Sequence, residues 1–132
     1  MKRLLLLLMI AAILLSGCAA ARTDITPEEI IAAYEDAGYL VSSGTYEEVL
    51  DHGVTGYIRA DHPDGDYIYF SIFESEADAQ AYEDANHPGI LWFFSVLFGD
   101  PSWRYCEAYG KIAVEYTDPK LFETFKDLME GK

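Results

Sequence analysis

The stretch VTGYIRADHPDGDYIYFSIF runs from Val54 to Phe73 and contains two strand-like segments on either side of a polar cluster. Residues 54–60 and 67–73 are rich in the β-branched and aromatic residues that strands favour. The polar cluster, Asp61 to Asp66, includes a Pro-Asp-Gly-Asp sequence that is typical of a turn. The sequence therefore predicts a β-hairpin, around which the rest of the domain is organised.

A second hairpin is predicted further along the chain. Residues 103–109 and 111–116 have the same strand-like composition and flank Gly110. Helices are predicted over about residues 27–37, 75–86 and 119–129, because capping residues precede each of these segments. A short further helix at 45–50 is a weaker alternative, since Thr45 and Glu48 resemble a capping box.

A short sequence is repeated within two of the predicted helices. Ala-Tyr-Glu-Asp-Ala occurs at residues 33–37 and again at 81–85, and Tyr57 maps onto Tyr105 at the same offset. Two helix–strand–strand halves are therefore one interpretation, and chance similarity between acidic, alanine-rich helices is the other. The predicted fold class is α+β, with a four-stranded antiparallel sheet, helices packed on one face and a two-fold repeat as an open alternative.

Strand alternation divides the predicted sheet into two faces. The face expected to pack against the helices carries Ile58, Ala60, Ile68, Phe70, Ile72, Cys106, Ala108, Ile112 and Val114. The opposite face carries the candidate binding residues Tyr57, Tyr67, Tyr69, Trp103, Tyr105 and Tyr109, together with Arg59, Ser71, Phe73, Glu107, Lys111 and Glu115.

This tyrosine-rich face needs an explanation, because a solvated face would be mostly charged and threonine-rich. The apolar block at 90–98 is expected to fold across it as a second small core, or to dip into a nearby membrane. The alternative is an uncovered face that binds a partner, since tyrosine and tryptophan provide contact area with a polar tip.

The N-terminus has the three-part layout of a secretory signal. Lys2 and Arg3 precede an apolar run at 4–15, and small residues follow before Cys18. The run of about a dozen residues is shorter than the roughly 20 that a membrane-spanning helix requires. A permanent transmembrane helix is therefore the weaker interpretation.

The sequence Leu15-Ser16-Gly17-Cys18 resembles the lipobox of bacterial lipoproteins. The resemblance implies that residues 1–17 are a signal peptide and that the Cys18 thiol carries a covalent diacylglyceryl group, with palmitate-like chains. It also implies a lipid-anchored protein at the extracytoplasmic face of the cell membrane, because two acyl chains anchor stably. Residues 18–26 are then a short tether, and residues 27–132 form a single α+β domain. The mature domain also resembles the small surface lipoproteins of bacteria, a resemblance that implies no activity.

The composition limits the partners of this domain. Removal of residues 1–17 leaves 115 residues and reduces the basic residues from 9 to 7 against 23 acidic ones, so the net charge changes from −14 to −16. Such a charge repels nucleic acid and anionic headgroups.

Lipidation of Cys18 leaves Cys106 as the only free cysteine, which excludes an intramolecular disulfide. Cys106 is therefore expected to be a small buried residue.

Residues with catalytic or metal-binding potential are few. The histidines stand beside glycine or proline without metal-ligand spacing, and no glycine-rich phosphate loop is present. Asp61, Asp64 and Asp66 are weak candidates for a calcium site, since they also suit a turn. We therefore expect a non-enzymatic module without a cofactor, which binds an envelope protein or cell-wall component. The alternative is a small hydrolase or metal-dependent ligand-binding protein that uses acidic loop residues.

Overall fold

A computed structural model of the chain describes residues 21–86, residue 97 and residues 104–132. Within residues 21–86 and 104–132, the α-helices are α1 (Pro27–Asp36), α2 (Glu76–Asn86) and α3 (Pro119–Glu130), and a short 3₁₀ helix spans Asp51–Gly53. The strands are β1 (Leu40–Thr45), β2 (Val54–Asp61), β3 (Tyr67–Phe73), β4 (Tyr105–Tyr109) and β5 (Ile112–Tyr116). The predicted signal peptide, Cys18, Trp103 and the apolar block at 90–98, apart from Leu97, lie outside the described residues.

The strands form one antiparallel sheet in the order β1-β2-β3-β5-β4. The α+β class and both hairpins are confirmed, but the sheet has five strands rather than the predicted four. The additional strand is β1, whose sequence LVSSGT lacks a strong apolar alternation. Its backbone pairs with β2 from Leu40 opposite Asp61 to Thr45 opposite Gly56.

The short helix considered for residues 45–50 is not formed. The Tyr46 N–H donates to the Thr55 carbonyl at 2.9 Å, and the Leu50 N–H donates to the Val54 carbonyl at the same distance. These backbone groups therefore bond to the segment that starts β2 instead of to each other. A capping-box sequence alone did not outweigh this pairing.

The predicted helix starts are confirmed by their capping geometry. The Glu29 N–H donates to the Thr26 side chain at 3.3 Å, and the Thr26 N–H donates to Glu29 at 2.8 Å, so α1 has a complete capping box. The Asp118 carboxylate accepts from the Lys120 N–H at 2.9 Å at the start of α3. Gly131, at φ 72°, ends α3 in the left-handed conformation that glycine adopts most readily.

One face of the sheet, called the first face, is covered by α1 and α3. Ile30 and Tyr34 of α1 and Phe125 of α3 are fully buried against the strands. The Tyr34 hydroxyl donates to the Leu121 carbonyl at 2.8 Å, so a buried hydrogen bond joins the two helices. The buried strand residues in this core are Ile58, Ala60, Ile68, Phe70, Ile112, Val114 and Tyr116, and the partly buried Ile72 packs against them.

The opposite face, called the second face, is partly covered by α2. Phe73 and Ala113 of the strands are buried with Ala79 of α2, and Tyr82 and Ala108 pack around them. Helices therefore lie on both faces, and the prediction that they share one face is wrong. The small residues at Ala79, Ala108 and Ala113 explain this arrangement, because they let helix and sheet approach closely.

The described residues show no internal repeat. The two helices that share the Ala-Tyr-Glu-Asp-Ala sequence, α1 and α2, pack on opposite faces of the sheet. Tyr34 of α1 is completely buried, whereas its counterpart Tyr82 of α2 keeps part of its surface exposed. The two segments thus occupy different environments.

The side chains of β4 point the opposite way from the prediction. Cys106 pairs with Glu115 and Glu107 pairs with Val114, and directly paired residues share a face. Tyr105, Glu107 and Tyr109 therefore lie on the first face, whereas Cys106 and Ala108 lie on the second. Tyr109 pairs with Ile112 across a two-residue loop, so odd positions of β4 are matched with even positions of β5.

Candidate functional site

The second face has two halves with different surroundings. One half, around Phe73 and Ala113, is buried beneath α2. The other half carries Tyr57, Tyr67 and Tyr69, which are all partly exposed. Partly exposed aromatic side chains on a rigid sheet are suited to contact with a ligand, because little side-chain freedom is lost on binding.

A cleft of about 290 Å³ lies in this second half. Four strands or their flanks contribute to it, with Arg59 from β2, Tyr67 and Tyr69 from β3, and Glu115 from β5. Arg104, immediately before β4, completes the lining. The cleft thus joins two guanidinium groups, two phenol rings and one carboxyl group on a sheet framework.

The ring of Tyr67 lies between the two guanidinium groups of the cleft. The Cζ atom of Arg59 is 4.0 Å from the ring centre, and the Cζ atom of Arg104 is 4.1 Å from it. Two guanidinium groups this close to one ring occupy its opposite faces, and the strand order places them on opposite sides of β3. Each contact contributes roughly 0.5–1 kcal/mol at a partly exposed site.

Asp61 holds Arg59 in place. The Nε atom of Arg59 lies 3.0 Å from each carboxylate oxygen of Asp61, and its Nη2 atom lies 2.6 Å from Oδ1. These hydrogen bonds lower the pKa of the Asp61 carboxyl. Asp61 therefore forms an ion pair with Arg59, while Asp64 and Asp66 are exposed in the turn. In residues 21–86 and 104–132, no group of three or more histidine, cysteine or acidic side chains is placed to hold a metal ion.

Backbone carbonyl groups hold Arg104. Its Nη2 atom donates to the carbonyl oxygen of Tyr67 at 3.3 Å and to that of Glu115 at 3.4 Å. Its Nε atom is buried and has no hydrogen-bond partner among the described residues. The guanidinium group is thus positioned at the ends of two neighbouring strands.

Glu115 links the cleft to α2. The Tyr82 hydroxyl donates to Oε2 of Glu115 at 3.1 Å, and the Ala108 N–H donates to Oε2 of Glu83 at 2.7 Å.

Burial, followed by the nearby Glu115, raises the pKa of the Cys106 thiol to about 12. Cys106 is therefore a protonated, buried residue at neutral pH rather than a nucleophile, because the thiolate is the reactive form.

A row of tyrosines extends from the cleft towards β1. The rings of Tyr57 and Tyr69 are stacked, with centres 5.9 Å apart and planes 2° apart, and Tyr46 lies 6.0 Å from Tyr57. Burial, together with the neighbouring Tyr46, raises the pKa of Tyr69 to about 12. Tyr46 was missed in the sequence because it was considered part of a short helix.

Tyr105 and Tyr109 are not part of the cleft, since they lie on the first face. Tyr105 is stacked on Tyr116 with ring centres 5.0 Å apart, and the Tyr109 ring contacts Phe125 at 5.5 Å. Glu107 accepts hydrogen bonds from the Tyr109 hydroxyl at 2.9 Å and from the Tyr116 hydroxyl at 3.2 Å. The structure therefore brings together Tyr57, Tyr67 and Tyr69 of the predicted set and adds Arg59, Arg104 and Glu115.

Comparisons of the chain with protein-family models, with curated proteins and with solved structures find no match. None of the helices within the described residues is both long enough and apolar enough to cross a bilayer. The geometry of the cleft and the N-terminal sequence are the features of this chain that bear on its function.

Proposed function

We propose that this protein is a lipoprotein of the extracytoplasmic membrane face, whose domain binds an envelope component through the second-face cleft. The observation that carries the binding role is the partly exposed Tyr67 ring between Arg59 and Arg104. Arginine and tyrosine are enriched at sites of recognition, because both combine a flat contact surface with directed hydrogen-bond donors. The lipobox-like sequence ending at Cys18 supports the anchoring role.

The position of the tether supports the same proposal. The Arg22 N–H donates to the Met129 carbonyl at 3.0 Å, and the Thr23 carbonyl lies so close to Gly110 that a side chain there would collide with it. The tether therefore joins the domain beside the β4–β5 turn. The cleft lies at the other end of β5, about 13 Å along the strand at roughly 3.3 Å per residue.

With an anchor at Cys18, as proposed, the cleft would be directed away from the membrane. Cys18 precedes Arg22 by four residues, which span at most about 14 Å when fully extended. The β4–β5 end of the domain would thus remain close to the lipid headgroups. Glu115 and Arg104, at the opposite end of the sheet, would face the envelope components beyond the membrane.

The anchoring role is tested by replacing the thiol. In cells that express the full chain, we expect Cys18→Ser to abolish labelling by radioactive palmitate and to leave the uncleaved precursor. Cys106→Ser is the matched control and is expected to keep both the label and the processing. Equal labelling of the wild type and the Cys18→Ser chain would contradict the anchoring proposal.

The binding role is tested by site-specific photo-crosslinking in the full chain. A benzophenone amino acid replaces Tyr57, beside the cleft, or Glu123, which is exposed on α3. We expect position 57 to give covalent adducts with an envelope component and position 123 to give none of these adducts. The same adducts at both positions, or adducts at neither, would contradict binding through the second face.

A further inference from the structure

Two arginines of a strongly acidic chain lie together at the cleft. Three arginines follow the predicted signal peptide, and two of them, Arg59 and Arg104, lie on the Tyr67 ring. The third, Arg22, pairs with Asp24 and Glu29 near the tether. The cleft is thus a place where a negatively charged group can meet an arginine despite the overall charge of the chain.

The two arginines of the cleft differ in their carboxylate partners. Asp61 accepts from two nitrogen atoms of Arg59 and therefore occupies its fork. Among the described residues, no carboxylate forms an ion pair with Arg104. The Nη2 atom of Arg104 already donates to the carbonyl groups of Tyr67 and Glu115, so a carboxylate ligand in this cleft would accept a charge-assisted hydrogen bond from its Nη1 atom.

Glu115 places the opposite charge in the same cleft. Its Oε2 atom accepts from the Tyr82 hydroxyl, and this bond fixes the carboxyl group against α2. A ligand cation near Glu115 would gain a charge-assisted hydrogen bond. A ligand with additional negative charge, such as phosphate, would instead be repelled by Glu115 and Asp61 as well as by the net charge of the chain.

We propose that the cleft binds a small zwitterion, with its carboxylate at Arg104 and its ammonium group at Glu115. This is the chemistry of a free α-amino acid, whose side chain would contact the ring of Tyr69. The inference deepens the proposed function and rests on it, since it assumes that the second face is a binding surface.

The test uses three small probes with the full chain in detergent micelles. L-Alanine carries both charges, propionate carries the carboxylate alone, and ethylammonium carries the cation alone. Their affinities are obtained by titration of the ¹³C-labelled tyrosine ring signals in NMR spectra. We expect L-alanine to bind more tightly than either singly charged probe and to shift the Tyr67 and Tyr69 signals.

Two variants separate the contributions of the two charged groups. Arg104→Met is expected to weaken both L-alanine and propionate by about tenfold or more, because charge-assisted hydrogen bonds are lost. Glu115→Gln keeps an acceptor for Tyr82, so it is expected to weaken L-alanine and ethylammonium but to strengthen propionate. Lys126→Met and Glu123→Gln, at exposed positions of α3, change the net charge equally and are expected to alter these affinities little.

Opposite responses of L-alanine and propionate to Glu115→Gln would support the inference, even if Arg104→Met failed to fold. Equal L-alanine affinity in the wild type and a folded Arg104→Met chain would overturn it. Absence of any probe-induced shift at the Tyr67 and Tyr69 signals would also overturn it. If the position-57 crosslinks persisted in that case, only the zwitterion inference would fail, and binding of another envelope component through the second face would stand.

Discussion

The two faces of the sheet are made by the same strands but have different compositions and coverings. The first face presents Ile58, Ile68, Phe70 and Val114, all fully buried beneath α1 and α3. The second face presents aromatic, charged and small residues, and α2 buries the half around Phe73. The comparison indicates that strand alternation places most of the buried apolar surface on one face and leaves part of the other face, where the proposed binding cleft lies, partly exposed.

The largest difference between the faces is expected in core truncations. Phe70→Ala leaves a cavity in the first-face core and should lower the free energy of unfolding by about 3–5 kcal/mol. Tyr67→Ala, on the second face of the same strand, removes a partly exposed ring and its two cation–π contacts. The loss of unfolding free energy should therefore stay below about 2 kcal/mol. Urea denaturation followed by circular dichroism measures both values, and equal losses would contradict the division between faces.

Truncation beneath α2 should have an intermediate and local effect. Phe73→Ala is expected to destabilise the domain by about 2–3 kcal/mol, because its second-face core has fewer members than the first-face core. Hydrogen–deuterium exchange should accelerate in α2 and stay unchanged in α1 and α3. Uniform acceleration across all three helices would show that the two cores unfold as one unit.

Removal of a single hydroxyl group sharpens the comparison further. Tyr34→Phe leaves the buried Leu121 carbonyl without its donor, and we expect a loss of about 1–2 kcal/mol. Tyr82→Phe removes the partly exposed bond to Glu115, and the loss should be under about 1 kcal/mol. If chemical denaturation showed the larger loss in Tyr82→Phe, the second face would contribute more to stability than proposed here.

The last comparison concerns Tyr69 at alkaline pH. Its pKa of about 12 exceeds the ordinary value of 10.0, so the unfolded chain loses this proton before the folded chain does. The contribution of Tyr69 to stability is therefore present below pH 10 and is lost as the pH rises towards about 12. The ¹³C signal of the Tyr69 ring should titrate near pH 12, whereas a midpoint near 10 would show that the stacked tyrosines do not shield it.

Local signals in the sequence were sufficient for much of the fold. Thr26 and Glu29 specify the start of α1 through a capping box, and the Asp61–Asp66 turn specifies the first hairpin. Alternation within β2 and β3 placed Ile58 and Phe70 on the buried face correctly. These features depend on residues that are close together in the chain, which explains why they could be predicted from the sequence.

Features that depend on pairing between distant segments were missed. β1 is a strand because its backbone pairs with β2, and its own composition gives little indication of this. The reversed orientation of β4 follows from the two-residue loop at Gly110 and Lys111, a signal that was present in the sequence. A two-residue loop at Gly110 and Lys111 predicts that Tyr105 and Tyr109 lie on the first face and Arg104 on the second.

The crosslinking yield at position 57 in a chain that also carries Tyr67→Ala is the most direct test of the second face as a binding surface. Circular dichroism first establishes that this chain is folded. We predict that the adducts with the envelope component disappear, because the ring between Arg59 and Arg104 organises the cleft. An unchanged yield of the same adducts in the folded chain would contradict the account.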